Sequence, residues 1–213
     1  METSTRKFLL PYDGAMDEPR EHARRGAYDK GVRRRREILD RAIEVFAERG
    51  AEGTSLRAIG QAIGVSHAAL KHYFASREEL LIAVYHAAEQ RSIADDPPPP
   101  DVSVVGLMTH AARRNHGVPG LVQLYSTLVA GALEEGHEPS REFFGERFAG
   151  LRRFLTERIA AEQRAGRVRR DIAPEAAAAL IIAASDGLQT QWLLDPGVDI
   201  EKSLELLEGL LGT

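Results

Sequence analysis

Apolar residues recur along most of this chain with the spacing of an α-helix. In successive segments they lie three, four and seven positions apart, and glycine or proline separates the segments. No stretch of useful length shows the alternation of apolar and polar residues that is typical of a half-buried strand. The pattern therefore predicts an all-α protein with about nine helices.

The segment from Thr54 to Phe74 predicts two short helices joined by a tight turn. Three apolar residues share one face of the first helix: Leu56, Ile59 and Ile63. Gly64 is suited to end this helix, because glycine takes the left-handed conformation of a C-cap without strain. Ser66 can cap the second helix, because its hydroxyl accepts a hydrogen bond from a backbone N–H group that has no partner within the helix. This arrangement is typical of a helix-turn-helix unit.

The second helix of this unit is predicted to have two chemically different faces. Leu70 and Phe74 would face inward, and the outward residues are small, polar or basic: His67, Ala68, Lys71 and His72. An exposed face of this kind suits the major groove of DNA. The local pattern also allows a simple αα-hairpin that is packed inside a helical protein.

The segments on either side favour the DNA-binding interpretation. The upstream run RRRREILDRAIEVFAERG predicts an amphipathic helix, and the downstream run SREELLIAVY opens with a capping box of Ser76 and Glu79. The segment from Arg33 to Tyr85 resembles the DNA-binding domain of the tetracycline-repressor-like (TetR) family of bacterial transcription regulators. The matching residues are Ala42, Phe46, Gly50, Thr54, Ile59, Ala62, Gly64, Val65, Ser66, Leu70, Tyr73, Phe74, Ser76, Arg77 and Leu80.

The resemblance implies a DNA-binding regulator, which we expect to be a repressor that binds a palindromic operator in double-stranded DNA. It also implies a homodimer joined through its last two long helices, and an inducer cavity enclosed by its middle helices. We expect DNA contacts from residues of the predicted head: Arg33, Arg34, Thr54, Ser55, Arg57, Ser66, His67, Ala68, Ala69, Lys71, His72, Tyr73 and Arg77.

Charge is divided unevenly along the chain, although its net value is only -4. Residues 33–77 contain nine Lys or Arg and five Asp or Glu, whereas residues 78–213 contain 13 and 21. A basic head on an acidic body favours DNA phosphates at the helix-turn-helix and disfavours them elsewhere. The charge pattern thus agrees with the motif.

Composition and the positions of glycine and proline predict three regions in the chain. Residues 1–32 contain several glycines and prolines with little periodicity, and we expect a flexible arm there. Residues 33–80 form the predicted head, and residues 81–213 form a predicted helical body for effector binding and dimerisation. The chain has no cysteine, and no apolar run approaches the roughly 20 residues that a membrane span needs, so we expect a cytoplasmic protein.

The last two predicted helices are the candidates for a dimer interface. The segment PEAAAALIIAASDGLQTQWLLDP is apolar on more than one face, which is typical of a helix buried in a core or against a partner. The final helix adds a stripe of leucines beside it. The expected interface residues are Leu180, Ala184, Leu188, Leu204, Leu207 and Leu211.

The sequence contains no glycine-rich phosphate loop, nucleophile elbow or zinc motif, so we expect no enzyme activity, cofactor or metal. Polar and aromatic residues on apolar helices are instead candidate effector contacts: Tyr85, His86, His110, Tyr125, Gln189 and Trp192. Two alternatives to an effector-responsive repressor remain. One is a DNA-binding regulator without a small-molecule effector, and the other is a helical enzyme or small-molecule carrier.

Overall fold

The computed structural model describes residues 23–49, 56–118 and 120–212. These residues form nine α-helices and no β-sheet, which confirms the prediction of an all-α fold. The helices are α1 (Ala23–Arg49), α2 (Leu56–Ile63), α3 (His67–Tyr73), α4 (Arg77–Asp95), α5 (Val104–His116), α6 (Leu121–Gly131), α7 (Glu138–Arg164), α8 (Pro174–Leu194) and α9 (Ile200–Leu211). No helix within the described ranges is long and apolar enough to cross a membrane.

Helix α1 begins earlier than the sequence analysis predicted. It starts at Ala23 rather than at Arg33, so residues 23–32 of the expected flexible arm are helical. Residues 1–22 of that arm lie outside the described residues. Once a helix has formed, each added residue costs little, and each of the two glycines in this segment weakens it by only about 1 kcal/mol. The helix therefore continues through both.

The described residues divide into two compact units. The first unit contains residues 23–91 and 118–143, and the second contains residues 92–117 and 144–212. This division differs from the predicted boundary after residue 80, because residues 118–143 group with the helix-turn-helix. Their contacts with α4 explain the grouping. Glu78 Oε1 lies 3.1 Å from His137 Nδ1 and accepts a hydrogen bond from the backbone N–H of Ser140 at 3.3 Å.

The core of the second unit is built by α5, α7, α8 and α9. Its fully buried members include Leu155 and Ile159 of α7, Ala178 and Ile181 of α8, and Leu204 of α9. Hydrogen-bonding side chains begin two of these helices, since Ser103 caps α5 and Asp199 caps α9. The second unit is thus a four-helix arrangement around one continuous apolar core.

Candidate nucleic-acid interface and effector residues

The turn between α2 and α3 brings the two helices very close together. Gly64 takes a φ of 71°, the left-handed conformation expected at the end of α2. The backbone N–H of Val65 donates to the carbonyl oxygen of Gly60 at 2.8 Å. A Cβ atom on Gly60 would lie 2.5 Å from the carbonyl oxygen of Val65, so the approach requires glycine at this position.

Helix α3 has a buried side and an exposed side. Leu70 and the residue that follows the helix, Phe74, are buried in the first unit. The exposed residues are the four that the sequence analysis placed outward: His67, Ala68, Lys71 and His72. Ser66 caps the helix as expected, because its Oγ accepts a hydrogen bond from the N–H of Ala69 at 3.1 Å. Two further predicted DNA contacts, Ala69 and Tyr73, are half-buried.

Two arginines of α1 contact the helix-turn-helix. Arg41 Nη1 donates to the carbonyl oxygen of Ile63 at 3.0 Å, at the end of α2 where the helix dipole is negative. The guanidinium carbon of Arg35 lies 5.0 Å from the centre of the Phe74 ring. Phe46, one of the residues that carry the family resemblance, has a side chain outside the described residues.

The other predicted DNA contacts are distributed around the helix-turn-helix. Arg33 and Arg34 are exposed and form surface ion pairs with Glu37, at 3.9 and 2.9 Å. Arg57 and Arg77 are also exposed. The remaining two predicted contacts, Thr54 and Ser55, lie outside the described residues.

Three of the six candidate effector residues lie in the first unit, where the structure brings them together. Tyr85 is buried, and its ring centre lies 5.5 Å from that of Tyr125. Phe143 lies edge-on to both Tyr85 and His86, at 6.2 and 6.3 Å. The Tyr85 hydroxyl donates to Oε1 of the buried Glu89 at 2.9 Å. Sequence reasoning missed Phe143 and Glu89, although both continue the helical faces of α7 and α4.

The other three candidates lie in the second unit and have partners of their own. His110 Nε2 lies 3.4 Å from the Asp96 carboxylate, and the buried Gln189 bonds to Ser185 on its own helix. The Trp192 ring stacks on His116, with centres 4.1 Å apart and planes 12° from parallel.

His116 was not singled out by the sequence pattern. Burial lowers the pKa of its imidazole, and Glu201 raises that pKa by a smaller amount. Burial therefore favours the neutral form of the His116 ring.

A cavity of about 120 Å³ lies in the second unit, between the start of α5 and the end of α9. Glu162 of α7 lines it, and its Oε1 accepts a hydrogen bond from the N–H of Val104 at 3.1 Å. Burial raises the pKa of the Glu162 carboxyl. Sequence reasoning missed this residue, yet a signal was present: Glu162 follows Leu155 and Ile159 on the apolar stripe of α7. Within the described part of the chain, no three metal-ligating side chains converge on one point.

The structure corrects the predicted dimer residues. Leu204 lies wholly within the core of its own chain, and four other predicted residues pack against that core: Ala184, Leu188, Leu207 and Leu211. Leu180 is exposed as expected, at 63%. The exposed leucines of α9 are Leu206 and Leu210. The reason is that α9 must first bury one stripe against α5 and α8 of its own chain, so the opposite face remains exposed.

Comparison with known proteins identifies relatives of both halves of the chain. Residues 38–84 match the family model described as bacterial regulatory proteins, tetR family. Residues 136–213 match the model described as BetI-type transcriptional repressor, C-terminal. The chain is also 28% identical over 176 residues to the HTH-type transcriptional repressor Rv1474c of Mycobacterium tuberculosis, covering 82% of this chain and 89% of that protein.

Solved structures share the fold. NalD, the secondary repressor of the MexAB-OprM multidrug efflux pump in Pseudomonas aeruginosa, superposes with a TM-score of 0.64 at 21% identity, covering 86% of this chain and 98% of that one. The SmeT–triclosan complex superposes with a TM-score of 0.64 at 20% identity, covering 84% and 91%. SmeT is the repressor of the Stenotrophomonas maltophilia multidrug efflux pump SmeDEF. At these identities the similarity shows a common fold.

Proposed function

Because this chain belongs to the TetR family of bacterial transcription regulators, we propose that it binds a palindromic operator as a homodimer and that a small molecule releases it. It is a DNA-binding transcriptional repressor, as its family and its relatives show, and those relatives are regulators rather than enzymes. The observation that supports the proposal most directly is the exposed polar face of α3, on a helix held against α2 by the close approach at Gly60. Acting on DNA, the protein works in the cytoplasm.

The side chains on α3 suit a short stretch of major groove. Lys71 can donate to the O6 and N7 acceptors of guanine, and the methyl group of Ala68 can contact a thymine methyl. The imidazoles of His67 and His72 offer ring nitrogens to base edges or phosphates. We therefore expect each protomer to read one half-site with these four residues.

A second copy of the chain suits the exposed leucines of α8 and α9. Leu180, Ala183, Gly187 and Leu194 are exposed and spaced along α8 as one stripe, in which the two small residues allow a neighbouring helix to approach closely. Leu206 and Leu210 add an apolar face on α9, at 68% and 62% exposure. A two-fold axis through these helices would bury both faces. To read two half-sites, such a dimer must present its two copies of α3 about 34–36 Å apart, or at a larger separation that matches the DNA repeat.

The effector site that we propose is centred on Tyr85, His86 and Tyr125. These residues form the aromatic group of the first unit together with Phe143, and Glu89 supplies a buried polar atom beside it. Apolar walls with a few placed polar groups are typical of small-molecule sites. The SmeT–triclosan complex is a precedent for an aromatic ligand within the same fold.

Selection from a random DNA duplex library by the purified full chain tests the operator proposal. We expect an enriched site with inverted half-sites and a dimer in sedimentation at micromolar concentration. Enrichment of a site without two-fold symmetry, or a monomer that binds with full affinity, would contradict the homodimer.

Release by an effector is tested on the selected duplex with a library of aromatic compounds that begins with triclosan. We expect at least one compound to weaken DNA binding by the wild type, and we expect Tyr125→Ala to abolish that effect without changing DNA affinity in the absence of compound. If no compound in the library weakens binding, the regulator without an effector becomes the better explanation.

A further inference from the structure

Helix α1 begins well before the residues that match the family model. The family model begins at residue 38, whereas α1 begins at Ala23. We define the α1 extension as residues 23–36, which contain seven Lys or Arg residues and one Asp. A helix of this length spans about 21 Å. The extension is thus the most basic segment of the described chain and is rigidly continuous with the head.

The α1 extension is fixed next to the DNA-reading helix. Arg35 packs over the ring of Phe74, the residue that directly follows α3. One turn further along α1, Ile38 and Leu39 are buried in the core of the same unit. The two anchors hold the basic segment beside the end of α3, because a helix does not bend freely between them.

Three arginines at the end of this segment, Arg33, Arg34 and Arg36, have exposed side chains. Val32 is exposed at 51%, and the Arg33 side chain at 75%. Arg34 and Arg36 are exposed as well. Arg33 and Arg34 pair with Glu37, and exposed ion pairs of this kind contribute about 0–1 kcal/mol. Breaking such a pair so that the arginine can contact a DNA phosphate therefore costs little free energy.

We propose that the α1 extension is a second DNA-contacting element, which binds the phosphates that flank the half-site read by α3. The proposal rests on the operator binding proposed above. Its length of about 21 Å corresponds to at most about six base pairs of additional contact on each side of the operator. Phosphate contacts carry no base information, so this element adds affinity and salt dependence and leaves the choice of sequence to α3.

The size of the effect follows from counterion release. Each phosphate contact adds about 0.9 to the slope of log K against log salt concentration. Arg33, Arg34 and Arg36 on two protomers supply up to six contacts, and losing them would flatten the slope by about 5. Over the range from about 50 to 200 mM salt, a difference of this size changes affinity by about a thousandfold.

The test couples changes in the protein to changes in the DNA. The probes are the selected operator cut at its outer half-site edges, and the same operator with about ten random base pairs on each side, which exceeds the reach of the extension. The proteins are wild type, Arg33→Gln/Arg34→Gln/Arg36→Gln, and the same three positions changed to Lys. Arg35 is left unchanged because it packs on Phe74. A charge-matched control, Arg152→Gln/Arg153→Gln/Arg164→Gln, removes exposed arginines from the second unit.

We expect the wild type, the lysine variant and the control to bind the long duplex more tightly and with a steeper salt slope than the short one. The glutamine variant should lose that difference while keeping its sequence preference and its thermal unfolding transition. The proposal is overturned if the wild type gains nothing from flanking DNA, or if the glutamine variant weakens equally on both duplexes. If the library selection yields no operator, the proposed operator binding has failed. The same proteins are then compared on a random duplex, where an unchanged salt slope in the glutamine variant would reject the α1 extension as well.

Discussion

Gly60 offers the sharpest test of the helix-turn-helix geometry. An alanine Cβ at this position would lie 2.5 Å from the carbonyl oxygen of Val65 and 3.1 Å from Leu70 Cδ1. The first neighbour is backbone and belongs to the turn, whose N–H is bonded to the carbonyl of Gly60 itself at 2.8 Å. Neither atom can move away without shifting α3 relative to α2. Gly60→Ala should therefore disturb the angle between the two helices.

Two opposing effects determine how much Gly60→Ala changes the free energy of unfolding. Alanine is favoured over glycine inside a helix by about 1 kcal/mol. Inserting an extra carbon into a packed site typically costs about 1–3 kcal/mol. The contact with backbone at Gly60 places this substitution toward the upper end of that cost, so we expect a net loss of about 1–2 kcal/mol in the free energy of unfolding. Operator affinity should fall as well, because the displaced α3 no longer presents its residues to the groove correctly.

Urea denaturation and operator binding measure the two consequences. Gly145→Ala is the matched control, since Gly145 is exposed in α7 and its added Cβ would meet nothing within 4 Å. This control should raise stability by about 0.5–1 kcal/mol and leave DNA binding unchanged. A Gly60→Ala variant that gains stability as the control does and binds the operator with wild-type affinity would show that the close approach at Gly60 does not constrain the two helices.

Three further predictions address the other sites. Leu210→Glu should dissociate the dimer in sedimentation and weaken operator binding through lost avidity, whereas Leu133→Glu, at a still more exposed leucine of the first unit, should do neither. Lys71→Ala should lower operator affinity with the fold intact, and discrimination between bases should fall by about 1–3 kcal/mol if the lysine contacts guanine. Glu162 has a raised pKa, so in the folded state its carboxyl stays protonated at pH values above the ordinary pKa of 4.5. The free energy of unfolding therefore falls as the pH rises from 4.5 through the raised pKa. The free energy of unfolding of Glu162→Gln, relative to that of wild type, should therefore rise as the pH increases from 4.5 to neutrality. Glu157→Gln, at an exposed position of the same helix, is the control.

The helix-turn-helix could be predicted in detail because its signals are local. A capping serine, a glycine in the left-handed conformation and apolar residues one helical turn apart all act within a few residues of each other. The buried side of α3, with Leu70, followed directly from this spacing. What the sequence did not indicate is the tight contact at Gly60, because it depends on the distance between two helices rather than on either helix alone.

The leucines of α9 show where periodicity is insufficient. Leu204, Leu207 and Leu211 form one stripe, whereas Leu206 and Leu210 form another, about 200–240° further round the helix from Leu204. Both have helical spacing, and an apolar stripe is equally expected against the chain's own core or against a partner. Only the positions of α5 and α8 decide that the first stripe is internal. The aromatic group around Tyr85 was predicted only in part, because Phe143 belongs to a distant helix and its spacing fits an apolar core as well as an aromatic group.

At the start of α1 the sequence predicts the charge of the segment correctly but its conformation wrongly. The sequence indicates a basic segment before the head, and glycines at 26 and 31 led to its interpretation as a flexible arm. The structure describes that segment from residue 23 as helix. The distinction changes the expected physics of binding. A flexible arm would lose conformational entropy when it settles on DNA, whereas a helix already held beside α3 by Arg35 loses little. Its phosphate contacts would therefore retain more of their electrostatic free energy, so the dependence of binding on flanking DNA should be large and should disappear when Arg33, Arg34 and Arg36 lose their charge.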